Sequence, residues 1–298
     1  MNLSQANRCF LDYLKTEKNF SERTLLTYHY ALDNFYEYFK EIFVENPNIC
    51  DIEIDDIRPF LGWLQDKGFA RNSIRLKSSA LKSFFKFLFK KEYLENNPAK
   101  LLSTPKRKKT LPNFLTEKEI SNLLLNCDGN DFESIRNKFL IQMIYGSGLR
   151  ISEALNLKIG DIDTVNKTVK VLGKGNKERI VPMGTNTIAL YEKYIKSKNK
   201  FVNSSKFVFV SGTGNKMSYS SAYKIIHREI QKISDVKQKS PHTLRHTFAT
   251  HLINNGADIR SVSEMLGHSS LSSTQIYTHL SIDKLKDIYF KAHPKAEK

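Results

Sequence analysis

The stretch ENNPAKLLSTPKRKKTLPNF, residues 95–114, divides the chain in two. It carries prolines at 98, 105 and 112 around a basic run at 106–109. A proline has no backbone N–H to give and its ring clashes with the preceding turn, so this density of prolines ends any helix. The segment reads as a linker. It predicts an N-terminal domain over 1–97, a linker over 98–113 and a C-terminal domain over 114–298. Basic runs in linkers are commonly just solvated, but Lys106, Arg107, Lys108 and Lys109 are also candidates for lying along phosphates.

On the N-terminal side there is almost no strand signal. Apolar residues at helical spacing predict helices over 6–17, 22–43, 54–67 and 72–91, with Asn46-Pro47 and Gly68 as punctuation. That pattern is a helical bundle. The last of these helices is chemically one-sided: from Lys67 to Lys91 the chain has eight basic residues and no acid. On a helix of 3.6 residues per turn, Arg71, Arg75, Lys82 and Lys86 fall within about 60° of one another, with Ser78 and Ser79 nearby. Leu76, Leu81, Phe84, Phe87 and Leu88 are expected to face the other way. A solvated face is the plain alternative. A stripe of one sign interleaved with hydroxyls is better explained by a phosphate backbone.

On the C-terminal side the pattern changes. Helices are expected over 116–126 and 132–145, then a hairpin in KTVKVLGKGNKERIVPM, with Val169 and Val171 before its Gly-rich turn and Ile180 and Val181 after it. Further helices are expected over 184–199, 218–233, 241–255, 259–266, 272–280 and 283–292, and a short strand near 207–210. The fold class is therefore mainly α: a helical bundle followed by a mainly helical domain with a small antiparallel sheet.

The totals agree with a polyanionic partner. Lys and Arg number 47 against 31 acids, a formal charge of +16 over 298 residues, of which residues 1–110 hold +5. Such a surface attracts nucleic acid first and anionic membrane second. Cys9, Cys50 and Cys127 show no paired spacing, which fits free thiols in a reducing compartment. No stretch approaches twenty apolar residues and the first twenty residues contain no signal-peptide core, so the expectation is a soluble cytoplasmic protein without a membrane partner.

The chemistry concentrates in PHTLRHTFATHL, 241–252. Ser240 suits an N-cap and Pro241 the first turn, so a helix should start here. His242 and Arg245 then share one face beside unpaired N–H groups, a place that favours an anion. Zinc is the weaker reading, because His242 and His246 lack an adjacent acidic or thiol ligand. A buried, hydrogen-bonded role remains the default for His246 and His251. Upstream, FLIQMIYGSGLRISEALNL breaks a long apolar helix at Gly146 and Gly148 and restarts with Arg150 and Glu153, which could be no more than an ion pair one turn apart. Lys174 stands at the hairpin tip in LGKGNKER, which is not a Walker A loop. Downstream, DIRSVSEMLGHSS ends a helix at Gly267 and presents His268, and SSTQIYTHL offers a Ser272–Gln275 capping box and Tyr277. Each piece alone is weak.

Taken together, the order Arg150, Lys174, His242, Arg245, His268, Tyr277 resembles the tyrosine recombinase/integrase family, and its Xer recombinases in particular. GSGLRISEALNL, GKGNKERIVPMG, HTLRHTFATHL and MLGHSSLSSTQIYTHL carry the resemblance. It implies a two-domain DNA clamp, with an N-terminal SAM-like core-binding domain and a catalytic domain, that cuts and rejoins DNA through a 3′-phosphotyrosyl intermediate. Tyr277 would be the nucleophile, Arg150 and Arg245 would hold the non-bridging oxygens, His242 would accept the phenolic proton, His268 would donate to the phosphate and Lys174 would protonate the departing 5′-oxygen. Glu153 would orient the group. Two arginines supply the positive charge and the phosphotyrosine conserves the bond energy, so neither metal nor other cofactor is implied.

The implied partners are double-stranded DNA with a dif-like site and a homo- or hetero-tetramer, with a second Xer recombinase and a DNA translocase as further candidates. The role would be resolution of chromosome dimers. The amphipathic end, through Leu285, Ile288 and Tyr289, would either pack on its own domain or, as in the family, dock on a neighbouring subunit. The rival readings are a plasmid or mobile-element integrase or resolvase, a type IB topoisomerase, and a non-catalytic DNA-binding protein.

Overall fold

The computed structural model describes residues 1–43, 46–104, 114–173, 177–201, 205–267 and 281–296. The chain forms two compact units, Met1–Thr110 and Leu111–Lys298.

The first unit contains α1 (Leu3–Thr16), α2 (Glu22–Ile42), α3 (Ile54–Asp66) and α4 (Arg71–Lys90). The helices start where local chemistry satisfies their free N–H groups: Asn2 caps α1 in a reciprocal pair with Gln5, and Ser21 caps α2. Their inward faces meet in an aromatic core in which Phe10, Phe35, Phe60, Phe84 and Phe85 are fully buried. Edge-on pairs such as Phe10–Phe84 and Phe35–Phe60, with ring centroids 5.5 and 5.1 Å apart, fix how the helices cross.

Two details of α4 differ from expectation. Leu76, expected inward, is 49 % exposed, because it lies beyond the arc of Ile74, Leu81, Phe84 and Leu88 that packs on the neighbouring helices. Ser78, expected on the basic stripe, is buried and lies 3.4 Å, hydroxyl to hydroxyl, from Thr104, so the chain leaving the bundle covers it. Arg71 and Lys86 are exposed and Arg75 and Lys82 half-buried. Lys106, Arg107, Lys108 and Lys109 lie outside the described residues.

The second unit begins with α5 (Glu117–Asn126), α6 (Phe132–Gly146) and α7 (Ile151–Asn156), followed by β1 (Ile162–Asp163), β2 (Thr168–Leu172) and β3 (Glu178–Pro182). It continues with α8 (Thr185–Phe201), α9 (Tyr219–Ile233), α10 (Pro241–Asn254), α11 (Ile259–Leu266) and α12 (Ile282–Ala292). Helix α6 is buried on nearly every side and serves as the axis on which α8 and α10 pack. The three strands form an antiparallel sheet in the order β1-β2-β3, with Val169 opposite Val181 and Val171 opposite Arg179.

The strand expected near 207–210 does not form; Phe207 and Val210 make only single bridges, to Lys158 and Lys216. Side chains take the carbonyls a neighbouring strand would need. Lys198 Nζ donates to the carbonyls of Ser205 (2.9 Å) and Phe207 (2.6 Å), and the Tyr194 hydroxyl donates to that of Val208 (2.9 Å). The helix expected over 272–280, with its Ser272–Gln275 capping box, lies outside the described residues.

Helix α12 packs on its own unit, burying Leu285, Tyr289 and Ala292, with Ile288 half-buried. The Tyr289 hydroxyl donates to the Gly146 carbonyl at 2.7 Å, and Asn255 Nδ2 donates to that of Ala292 at 2.9 Å. No helix among the described residues is long and apolar enough to cross a membrane.

Candidate active site

Three elements distant in sequence, α7, β3 and α10, meet at one carboxylate. Gly146, Ser147 and Gly148 end α6 and turn the chain so that Arg150 becomes the N-cap of α7. Gly148 has φ +61°, and a Cβ there would stand 2.6 Å from the Phe248 ring, so the turn demands glycine twice over. Three residues on, Glu153 reaches back: its Oε2 accepts the Arg150 backbone N–H and its Oε1 accepts Arg150 Nη1, both at 2.7 Å.

The second cation is Arg179 of β3. Its Nη1 and Nη2 donate to the two oxygens of Glu153 at 2.9 and 2.8 Å, a forked pair. The third is Arg245, one turn into α10, with Nη1 3.6 Å from Glu153 Oε2 and 2.7 Å from the Gly148 carbonyl it donates to. Glu153 is buried, with its side chain 4 % exposed, against 8 % for Arg245, 13 % for Arg179 and 33 % for Arg150.

The three guanidinia also hold one helix end. Arg179 Nε donates to the Met265 carbonyl at 2.9 Å, Arg245 Nη2 to that of Leu266 at 2.5 Å and Arg150 Nη2 to that of Gly267 at 3.4 Å. These consecutive carbonyls close α11, where no intrahelical donor remains and the helix dipole is negative, so cations settle there. Gly267, φ +65°, turns the chain out of α11, and a Cβ on it would sit 3.1 Å from Arg179 Cδ.

The electrostatics are unbalanced. Three guanidinia share one carboxylate, leaving about two positive charges in a partly dry place. Burial alone would raise the Glu153 carboxyl, yet hydrogen bonds from Arg179 and Arg150 outweigh it and hold the group below the usual carboxylate range. Burial, with Arg150 and Arg179 alongside, pushes Arg245 down to about 10 against the pull of Glu153. Such a cluster is built to receive an anion whose oxygens take the unused N–H donors.

Of the residues singled out in the sequence, Arg150, Glu153 and Arg245 are brought together. His242 is exposed on the first turn of α10, one turn before Arg245; Ser240 occupies the N-cap position but makes no side-chain cap. His246 is exposed, whereas His251 is buried and hydrogen-bonded through Nδ1 to the Tyr145 hydroxyl at 3.0 Å. Among the described residues no His, Cys, Asp and Glu side chains gather as a metal site.

Lys174, His268 and Tyr277 lie outside the described residues. Gly173 and Gly267 themselves border the cluster. Gly267 precedes His268, and a Cβ on Gly173, which precedes Lys174, would stand 3.5 Å from Arg179 Nη1 and 3.9 Å from Glu153 Oε1.

The sequence pattern does not single out Arg179, although a signal is present. Strands β2 and β3 pair so that Val169, Val171 and Val181 lie on the buried face, and Arg179, opposite Val171, points the same way while Ile180 is exposed. An inward arginine between valines requires a partner, but seeing that it is inward requires the register.

Residues 113–283 match the phage integrase family, and residues 8–92 match the N-terminal SAM-like domain of phage integrases. The tyrosine recombinase XerC of Halalkalibacterium halodurans is 39 % identical over 294 residues, covering 96 % of each chain. That of Bacillus subtilis is 38 % identical over 305 residues, covering 100 % of this chain and 99 % of the relative. Among solved structures, the XerH site-specific recombinase bound to a palindromic difH substrate superposes with a TM-score of 0.71 at 25 % identity, over 95 % of this chain and 80 % of that one. The Tn1549 transposon integrase, at 20 % identity, shares the fold with a TM-score of 0.74 over 96 % and 98 % of the two chains.

Proposed function

Because the chain belongs to the phage integrase family, as a tyrosine recombinase, we propose that it cuts and rejoins double-stranded DNA at a dif-like site in the manner of the Xer recombinases. The observation that carries this reading is the cluster of Arg150, Arg179 and Arg245 around the single carboxylate of Glu153, with more positive charge than the protein itself neutralises.

In the proposed reaction the Tyr277 oxygen attacks the scissile phosphorus. Its proton passes to His242, the P–O5′ bond breaks, and Lys174 protonates the departing 5′-oxygen. The products are a 3′-phosphotyrosyl bond and a free 5′-hydroxyl, and the reverse attack by a 5′-hydroxyl reseals a strand without an external energy source. Arg150 and Arg245 present N–H donors to the non-bridging oxygens, where charge grows in the five-coordinate transition state, and His268 adds one more. Glu153 holds Arg150 at its angle. The stripe of Arg71, Arg75, Lys82 and Lys86 on α4, with Lys106, Arg107, Lys108 and Lys109 of the linker, contacts the DNA backbone.

Residues 1–97 act as the core-binding domain and 114–298 as the catalytic domain. The working assembly is a tetramer of this chain, alone or with a second Xer recombinase, activated by a DNA translocase. Helix α12, which packs on its own unit in the single chain, would be released there and taken up by a neighbouring subunit. The protein acts in the cytoplasm, in resolving chromosome dimers.

A nicked suicide substrate tests the chemistry. The protein should become covalently trapped on the DNA and Tyr277→Phe should not; a wild-type chain that binds without trapping would sink the reading. A plasmid with two sites separates recombination from topoisomerase action, since resolved circles are expected and relaxation alone is not.

A further inference from the structure

Among the described residues Arg179 makes three directed hydrogen bonds, and its side chain is 13 % exposed, which leaves it little surface for DNA. Two of those bonds saturate Glu153. A carboxylate has about four lone-pair positions. Here Oε1 accepts from Arg150 Nη1 and Arg179 Nη1, and Oε2 accepts from the Arg150 backbone and Arg179 Nη2. The third bond grips the Met265 carbonyl, beside the carbonyls that Arg245 and Arg150 hold. The guanidinium therefore braces both the carboxylate that aims Arg150 and the helix end that aims Arg245.

We propose that Arg179 is a positioning residue for strand cleavage, locking Glu153 and the carbonyl end of α11 so that Arg150 and Arg245 offer their remaining donors to the phosphate at a fixed angle. The inference rests on the tyrosine recombinase reading. Without the brace, Glu153 loses two of its four hydrogen bonds and can turn about its terminal torsion, and Arg150 turns with it. A lysine cannot replace the brace, because one ammonium cannot span both oxygens and the carbonyl with a planar fork.

The test measures single-turnover cleavage of the nicked substrate at saturating DNA, DNA affinity, and thermal unfolding for Arg179→Lys, Arg179→Ala, Glu153→Gln and the Arg179→Ala/Glu153→Gln double variant. A misaimed donor of this kind costs on the order of 100-fold in rate. Arg179→Lys should lose about that much while binding DNA within about twofold of wild type, since the loss belongs to the transition state. The double variant should be no slower than its slower parent, because both changes release the same brace.

Wild-type cleavage by a folded Arg179→Lys overturns the proposal. So do losses that multiply in the double variant, a loss confined to binding, or failure of both Arg179 variants to fold, which would make the residue a plain structural support. If the wild-type chain itself never traps DNA, the recombinase reading falls instead, and the two failures are told apart in the same experiment.

Discussion

Glu153 decides how the cluster behaves, because among the described residues it is the carboxylate that pairs with all three guanidinia, and its own side chain is 4 % exposed. Glu153→Gln keeps the shape and removes the charge, leaving cations buried against a neutral amide. Breaking one side of a buried ion pair costs about 3 kcal/mol. The variant should therefore unfold at a lower temperature than wild type in a chloride buffer. Added sulfate or short duplex DNA should recover part of that loss, since an anion in the cluster replaces the missing charge. Thermal melts across a sulfate series would check this, and a variant indifferent to sulfate would argue against an anion site.

At the level of single elements, α4 and α12 carry separate expectations. Helix α4 carries Arg71 and Lys86 exposed and Arg75 and Lys82 half-buried. Replacing all four with glutamine should weaken DNA binding and reduce the slope of log K against log salt by about one for each phosphate no longer neutralised. An unchanged slope would remove α4 from the interface.

The segment following α12 buries His293 among Tyr145, Phe248 and Tyr289, with ring centroids 5.0, 5.5 and 5.0 Å away. Burial, against a backbone hydrogen bond at Tyr145 and with His251 and Lys295 nearby, pushes its imidazole down to about 3. His251, also desolvated, is lowered as well. The unfolded chain then binds the proton more readily than the folded one. Stability is complete above about pH 6.5 and is lost as the pH falls toward 3, at up to about 1.4 kcal/mol per unit from His293. Melts between pH 7 and 4.5 should show this decline in wild type and a shallower one in His293→Asn.

Over the full chain, each unit has its own hydrophobic core, one built around Phe10, Phe35, Phe60 and Phe84 and the other around Phe139, Tyr145, Phe209 and Phe248. Fragments 1–104 and 114–298 should each fold cooperatively, which circular dichroism melts would show; a fragment without a transition would mean that its core needs the other unit.

Much of this is legible in the sequence for reasons that are local. The boundaries of α4, α6 and α11 follow from periodicity, caps and glycine, and GSGLR announces its turn because Gly148 alone tolerates both the φ and the contact with Phe248. Three features are illegible for the opposite reason. The failure of 207–210 to become a strand depends on Lys198 and Tyr194 reaching from α8, the burial of Ser78 depends on Thr104, and Arg179 acquires its role only through its pairing with Val171.

Amino-acid order alone was enough for the helical class and for singling out Arg150, Glu153 and Arg245, since capping, periodicity and motif spacing act over a few residues. The convergence of Arg150, Arg179 and Arg245 on Glu153 and on the last carbonyls of α11 came into view with the folded chain. Hydrogen bonds tolerate errors of a few tenths of an ångström, and that precision across a hundred residues comes from strand register and packed helices rather than from any local run of sequence.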